Sequence, residues 1–193
     1  MNRQETVEQL KRVWAVLASD LDEALAYGRQ NSSAFAHRTL VRTHFAMIEG
    51  LSYQLRQVTL TSLEGTDLVT PIEIALLREE RYFLNGKGHP EPKEDFQTFL
   101  PSLLFSIRSY LKNHGATYEP DTSHHGWEAL RKAVDIRNRL MHPKSEACLH
   151  LSETDLKIFT EAAAWWKKTI LGMFSACDEA DDYWRSQLMA RGQ

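Results

Sequence analysis

From Leu156 towards the C-terminus, apolar side chains return every three or four residues, through Phe159, Ala163, Trp166, Ile170, Met173 and Cys177 and on to Trp184. That spacing is the pitch of an α-helix with one buried stripe. Ser152-Glu153-Thr154-Asp155 stands in front of it as a capping box, so a long final helix is expected to begin there. The same period fills most of the chain. Val7, Leu10, Trp14, Leu17, Leu21 and Leu25 place a stripe on a helix over about residues 4 to 27, with Gly28 and Asn31 marking its exit. Val41, Phe45, Ile48, Leu51, Leu55 and Val58 do the same over about residues 34 to 63, after the capping candidates Ser32 and Ser33. No stretch alternates with the period of two that a half-buried strand requires, and no internal repeat appears. The expectation is a single all-α domain over residues 1–193, a bundle of about five to six helices.

Between these long segments the punctuation is local. Thr70-Pro71-Ile72-Glu73 combines an N-cap, a proline at the first helical position and a glutamate that closes a capping box, predicting a helix that ends near Asn85-Gly86. Lys87 to Asp95, with Gly88, Pro90 and Pro92, reads as a loop long enough to cover something. A further helix is expected from Phe96 or Pro101 to Asn113, stopped by His114-Gly115. A second loop over residues 116 to 126 leads to a helix beginning near Ser123.

Composition narrows the function classes. The net charge is −3, which gives no global attraction to nucleic acid, although Arg131, Lys132, Arg137, Arg139 and Lys144 outnumber Glu128 and Asp135 locally. The two cysteines, Cys148 and Cys177, are too far apart for a Cys-x-x-Cys site and read as reduced thiols. No apolar run reaches the roughly 20 residues of a membrane span, and the first residues do not form a signal-peptide core, so the expected location is the cytoplasm.

The stretch Arg137-Asn138-Arg139-Leu140-Met141-His142-Pro143 carries the chemistry. Trp127, Leu130, Val134, Arg137 and Met141 fall on one helical stripe, so Arg137 sets a charge among apolar positions, where it needs a partner or an opening to water. His142 precedes a proline and is biased out of the helix, free to turn towards the same pocket. A fixed guanidinium holds phosphate oxygens in two places, and an imidazole moves protons near neutral pH.

Arg137-Asn138, three further residues and His142 resemble the Arg-x4-6-His signature of HEPN domains, in which a polar residue commonly follows the arginine. The resemblance implies an all-α bundle that dimerises and draws Arg and His from both protomers into one composite site. It also implies metal-independent endoribonuclease chemistry through attack by the ribose 2′-OH, in a toxin or phage-defence role. The expected catalytic residues are then Arg137, His142 and Asn138, the last either orienting the phosphate or the ribose, or helping to end the helix. RNA is the implied substrate, and an antitoxin or regulatory protein a possible partner. No cofactor, metal or membrane is expected. The alternative is a HEPN-like dimer that binds RNA or a protein without cutting. In HEPN proteins paired with minimal nucleotidyltransferase antitoxins a tyrosine stands two residues after the histidine; Lys144 stands there instead, which argues against regulation through a modified tyrosine.

Supporting positions are weighed in the same way. Glu49 shares a helix face with Arg42, Tyr53 and Arg56, and is either a surface ion-pair member or an inward group that holds Arg137. Lys144 either adds attraction for phosphate or is simply solvated. Arg139 is expected to pair with Asp135 on the surface. His124-His125 and His150 lack the spacing of a zinc site, and the five tryptophans read as packing rather than base-stacking groups.

Overall fold

The computed structural model describes residues 2–191. Among the described residues the chain forms six α-helices and one small hairpin: α1 (Arg3–Gln30), α2 (Ala34–Leu63), α3 (Pro71–Leu77), β1 (Glu80–Leu84), β2 (Pro90–Glu94), α4 (Phe99–His114), α5 (His125–Met141) and α6 (Glu153–Arg191). A short 3-10 turn, Glu146–Leu149, lies between the last two helices. The architecture is an all-α bundle.

Each long helix starts and stops on its own local chemistry. Asn2 and Glu5 exchange side-chain and backbone bonds of 2.9 Å in a capping box at the start of α1. The helix runs through Gly28 to Gln30, three residues past the expected end, because Asn31 is the residue that caps it. After the short turn of Asn31–Ser33, α2 returns along α1. The two approach closely at Gly50, where a Cβ would lie 2.6 Å from Leu17 Cδ1. Ser152 and Asp155 form the reciprocal cap in front of α6. Pro101 is accommodated in the first turn of α4, and Gly115 ends that helix in the left-handed region at φ 66°.

The segment after Thr70 departs from expectation. Its capping box forms, but α3 stops at Leu77, and Glu79 takes a positive φ of 55° that breaks helical continuity. The expected helix to Asn85 and the loop to Asp95 are instead an antiparallel hairpin with Tyr82 opposite Pro92 and Leu84 opposite Pro90. Arg81-Tyr82-Phe83-Leu84 is rich in strand formers, and no apolar stripe of helical period continues into it. Both prolines sit on the parity that faces the open edge, because the backbone bonds Asn85 to His89 and Asp95 to Glu79 place the inter-strand ladder on the other.

One cluster of buried side chains joins the bundle. Val41, Ile48, Leu51 and Leu55 of α2 meet Leu103 and Ile107 of α4, Leu130, Ala133 and Leu140 of α5, and Trp166 and Met173 of α6. α1 buries only Thr6, Leu10 and Ala24, and covers α2 as a half-exposed outer helix. Trp165 and Trp166 are core residues, Trp14 and Trp127 pack against the core, and Trp184 is exposed.

Candidate functional site

The stripe on α5 is rotated slightly from the one expected. Gly126, Ala129, Leu130, Ala133, Ile136 and Leu140 are the buried positions, with Trp127, Val134 and Arg137 half-buried beside them and Met141 exposed. Arg137 therefore stands at the boundary of the core rather than in it. The boundary lets a guanidinium keep its charge while its stem covers apolar surface.

At that boundary α2, the start of α4, and α5 enclose a pocket of about 490 Å3, lined by Phe45, Glu49, residues 98 to 101, Val134, Arg137 and Asn138. Arg137 Nη2 lies 2.5 Å from Glu49 Oε1, and Arg137 Nη1 donates to Asn138 Oδ1 at 3.0 Å. The Glu49 contact is a close ion pair without the alignment of a hydrogen bond, since Oε1 accepts no properly directed donor. A guanidinium has five N–H donors, so these two contacts fix its plane while leaving donors for a ligand. Thr98, the N-cap of α4, makes no side-chain cap bond at the pocket wall, so the positive end of that helix meets the same space. Residues 80 to 94 of the hairpin take no part in lining it.

The polar face of α2 organises this region at intervals of two turns. Arg42 Nη2 donates to the carbonyl of Leu140 at 2.9 Å, satisfying one of the open carbonyls at the end of α5. Glu49 pairs with Arg137 one step further on. Arg56, buried, donates to Ser102 Oγ at 3.0 Å and pairs with Glu79 at 3.1 Å. Tyr53 is half exposed, with the Arg56 guanidinium 5.8 Å from its ring centre.

His142 is the C-cap of α5, its backbone N–H bonding to the carbonyl of Asn138 at 3.0 Å. Its side chain is exposed, as are those of Asn138 and Lys144, and it is not among the residues that line the Arg137 pocket. One chain therefore brings Arg137, Asn138 and Glu49 together and leaves His142 on the adjoining surface. The segment after Pro143 is tied down by Arg139, which pairs with Asp155 at 2.7 Å and donates to the carbonyls of Cys148, at 3.2 Å, and His150. This replaces the expected Asp135 partner: the chain folds back over the end of α5, and two carbonyls plus a carboxylate outcompete a single exposed one. Arg38 adds a longer bond to the carbonyl of Leu149 at 3.4 Å.

His124 caps α5, its Nδ1 accepting from the N–H of Gly126 at 2.9 Å, and His125 stacks beside it with ring centres 4.0 Å apart. Among the described residues no group of three or more His, Cys, Asp or Glu is placed to hold a metal ion, and no helix is long and apolar enough to cross a membrane. Sequence reasoning missed Phe45 and the start of α4 as pocket walls; Pro101 marked a helix start without indicating what that start faces. No family model, curated protein or solved structure matches this chain.

Proposed function

We propose that the chain is a metal-independent endoribonuclease of the HEPN type that acts as a homodimer. The observation that carries this reading is the Arg137 guanidinium, held by Glu49 and Asn138 at the mouth of a pocket, with His142 exposed immediately beyond the same helix. A half-buried arginine clamped on two nitrogens is preorganised for phosphate, and avoids the entropy cost that a free surface side chain incurs on binding. An exposed imidazole one helical turn on can reach the substrate or a second protomer.

In the proposed reaction Arg137 holds the non-bridging oxygens of the scissile phosphate. One His142 imidazole takes the proton of the ribose 2′-OH as its oxygen attacks phosphorus. The P–O bond to the 5′-oxygen breaks, and the His142 of the second protomer returns a proton to that leaving oxygen. The product ends are a 2′,3′-cyclic phosphate and a 5′-hydroxyl. Two protomers supply the pair of histidines and the opposed arginines that one chain lacks.

The test is cleavage of RNA in excess EDTA, with the end groups determined and the dimer followed by light scattering. Cleavage is expected to persist, to give cyclic phosphate ends and to fail on substrate that is 2′-deoxy at the cut. His142→Ala should lose on the order of 10²-fold in rate, and Arg137→Ala should lose binding as well as rate. Wild-type speed in His142→Ala, or a strict monomer at tens of micromolar, refutes the composite site. RNA bound but never cut replaces the enzyme by a binding module.

A further inference from the structure

The hairpin of β1 and β2 is the least covered element of this chain. Every residue of its two strands is exposed except Glu80, which is half-buried, so neither face of the ribbon is packed against the bundle. Tyr82 and Leu84 are 57% and 70% exposed on one face, with Pro92 and Pro90 across the ladder from them, and Phe83 is 44% exposed on the other. Two strands alone are marginally stable in water, and a further strand or an apolar covering is normally needed. This hairpin nonetheless holds a defined register over five residue pairs.

Its two outer edges differ. The bonds from Asn85 to His89 and from Asp95 to Glu79 put the odd-numbered residues on the shared ladder. Glu80, Tyr82 and Leu84 therefore turn their backbone N–H and C=O groups outwards from β1, and Pro90, Pro92 and Glu94 occupy the outward positions of β2. Two prolines in three positions remove the donors that a further strand would need, and close the β2 edge. β1 contains no proline and no third strand pairs with it, and among the described residues nothing bonds to the outward backbone of Glu80, Tyr82 or Leu84. One edge guarded and the other open is the arrangement of a ribbon that pairs on one side.

We propose that the outer edge of β1 pairs antiparallel with the same edge of a second copy of this chain, joining two hairpins into one four-stranded sheet about a two-fold axis at Tyr82. The residues of the strand select both that occupant and that register. Centred on Tyr82, the pairing sets Glu80 against Leu84 of the second copy and Tyr82 against its own counterpart, so every outward residue exchanges bonds, about six in all. Arg81 then lies opposite Phe83 of the second copy, and Phe83 opposite its Arg81, a cation against an aromatic ring on each side of the axis, with no like charges directly opposed. An axis at Arg81 would set two guanidinium groups face to face, and an axis at Phe83 would leave Glu80 opposite the turn and keep only about four bonds. Pairing at Tyr82 also runs the exposed strip of Pro92 and Tyr82 into the same strip of the second copy. The outermost strands of the joined sheet are the two β2 strands with their prolines, so the assembly closes as a dimer and does not grow. This interface goes beyond the ribonuclease reading and uses none of the residues that line the Arg137 pocket.

The test is amide hydrogen exchange on the full chain, read residue by residue from micromolar to millimolar protein. The amides of Arg81 and Phe83, on the inner ladder, serve as the reference. Those of Glu80, Tyr82 and Leu84 should exchange freely in dilute protein and slow by about tenfold or more as its concentration rises. Tyr82→Pro copies the guard already present on β2, and should abolish the slowing at Glu80 and Leu84 while Arg81 and Phe83 keep their protection. Tyr82→Lys and Tyr82→Glu each place like charges together at the axis and should weaken pairing about fivefold, and an equal mixture of the two should restore it. Fast exchange at Glu80 and Leu84 at every concentration, which would leave the edge to a strand from another protein, overturns the proposal. Slow exchange in dilute protein overturns it as well, because the edge would then be covered from within the chain. So does slowing that survives Tyr82→Pro, or a mixture that pairs no better than either variant alone. None of these outcomes bears on RNA cleavage, which is scored separately through His142→Ala.

Discussion

Acidification should destabilise this protein through His44 before any perturbed carboxylate responds. The imidazole lies on α2 against Phe45 and Phe159, with ring centres 6.5 and 5.3 Å away, and desolvation by that burial lowers its pKa from 6.5 to about 4. The unfolded chain takes up a proton near pH 6.5, whereas the folded chain resists until about pH 4, so between these values the unfolded state binds more protons. Stability therefore rises with pH across this window and is lost as pH falls through it. The linkage is worth about 2 kcal/mol between pH 7 and pH 5, and about 3 kcal/mol by pH 4, at 1.36 kcal/mol per unit. The carboxyl of Glu73 is held at about 2, chiefly by its bond to Lys112 and also by the backbone of Thr70, so its own loss begins only below its ordinary value near 4.5. Urea denaturation of wild type and His44→Phe at half-unit steps from pH 7.5 to 4.5 isolates the His44 contribution. The difference between their unfolding free energies should be flat above pH 7 and then move by about 2 kcal/mol in favour of the variant by pH 5. Parallel curves across that range would mean that His44 is solvated or protonated in the folded state, and the burial argument would fail.

Other perturbations separate the roles of individual side chains. Glu49→Gln removes the charge facing Arg137 and, on the proposed ribonuclease reading, should slow RNA cleavage about tenfold, while melting and the mass in solution stay those of the wild type; unchanged rate would assign Glu49 to surface charge alone. Gly126→Ala places a Cβ 2.6 Å from Trp165 Cβ and should cost about 1–3 kcal/mol by thermal melting, whereas Gly28→Ala, inside α1 with no atom within 4 Å, should add about 0.5–1 kcal/mol. Arg139→Ala releases the carbonyls of Cys148 and His150, so amide exchange over residues 144 to 151 should accelerate by about tenfold while the centre of α5 stays protected.

Helices proved legible where a stripe and a cap agreed. The capping boxes at Thr70 and Ser152 and the glycine stop at Gly115 all rest on bonds between neighbours in sequence, and such bonds survive whatever tertiary structure surrounds them. The hairpin was hidden for the opposite reason. Its strands are almost wholly exposed, so no alternation of apolar and polar residues marks them, and prolines at 90 and 92 argue against a strand until the register shows that both face the open edge. Capping of α3 said where that helix begins, but its end is set at Glu79, whose positive φ no residue type announces.

Of the candidate site, the nearness of Arg137 to Glu49 could be anticipated from the sequence, and the geometry around them could not. Spacing alone puts Arg137 near an apolar stripe, but whether it lies in the centre or at the edge turns on a rotation of α5 that packing against α6 decides. The edge position matters physically. In the core, an arginine paired with Glu49 would have desolvated both charges at a cost of several kcal/mol and left nothing for a phosphate. At the boundary, with the Arg137 side chain 25% and Glu49 38% exposed, the pair orients the guanidinium without sealing it, and Asn138 fixes the second nitrogen. The same edge position explains why His142 is kept out of the pocket: α5 ends one turn later, Arg42 takes up the Leu140 carbonyl, and the chain is drawn over the helix end towards Asp155 by Arg139. On the ribonuclease reading proposed above, His142 on the outer surface is the proton carrier and Arg137 in the adjoining pocket the anion holder, which together make half of an acid–base site. A second copy is the most economical source of the other half.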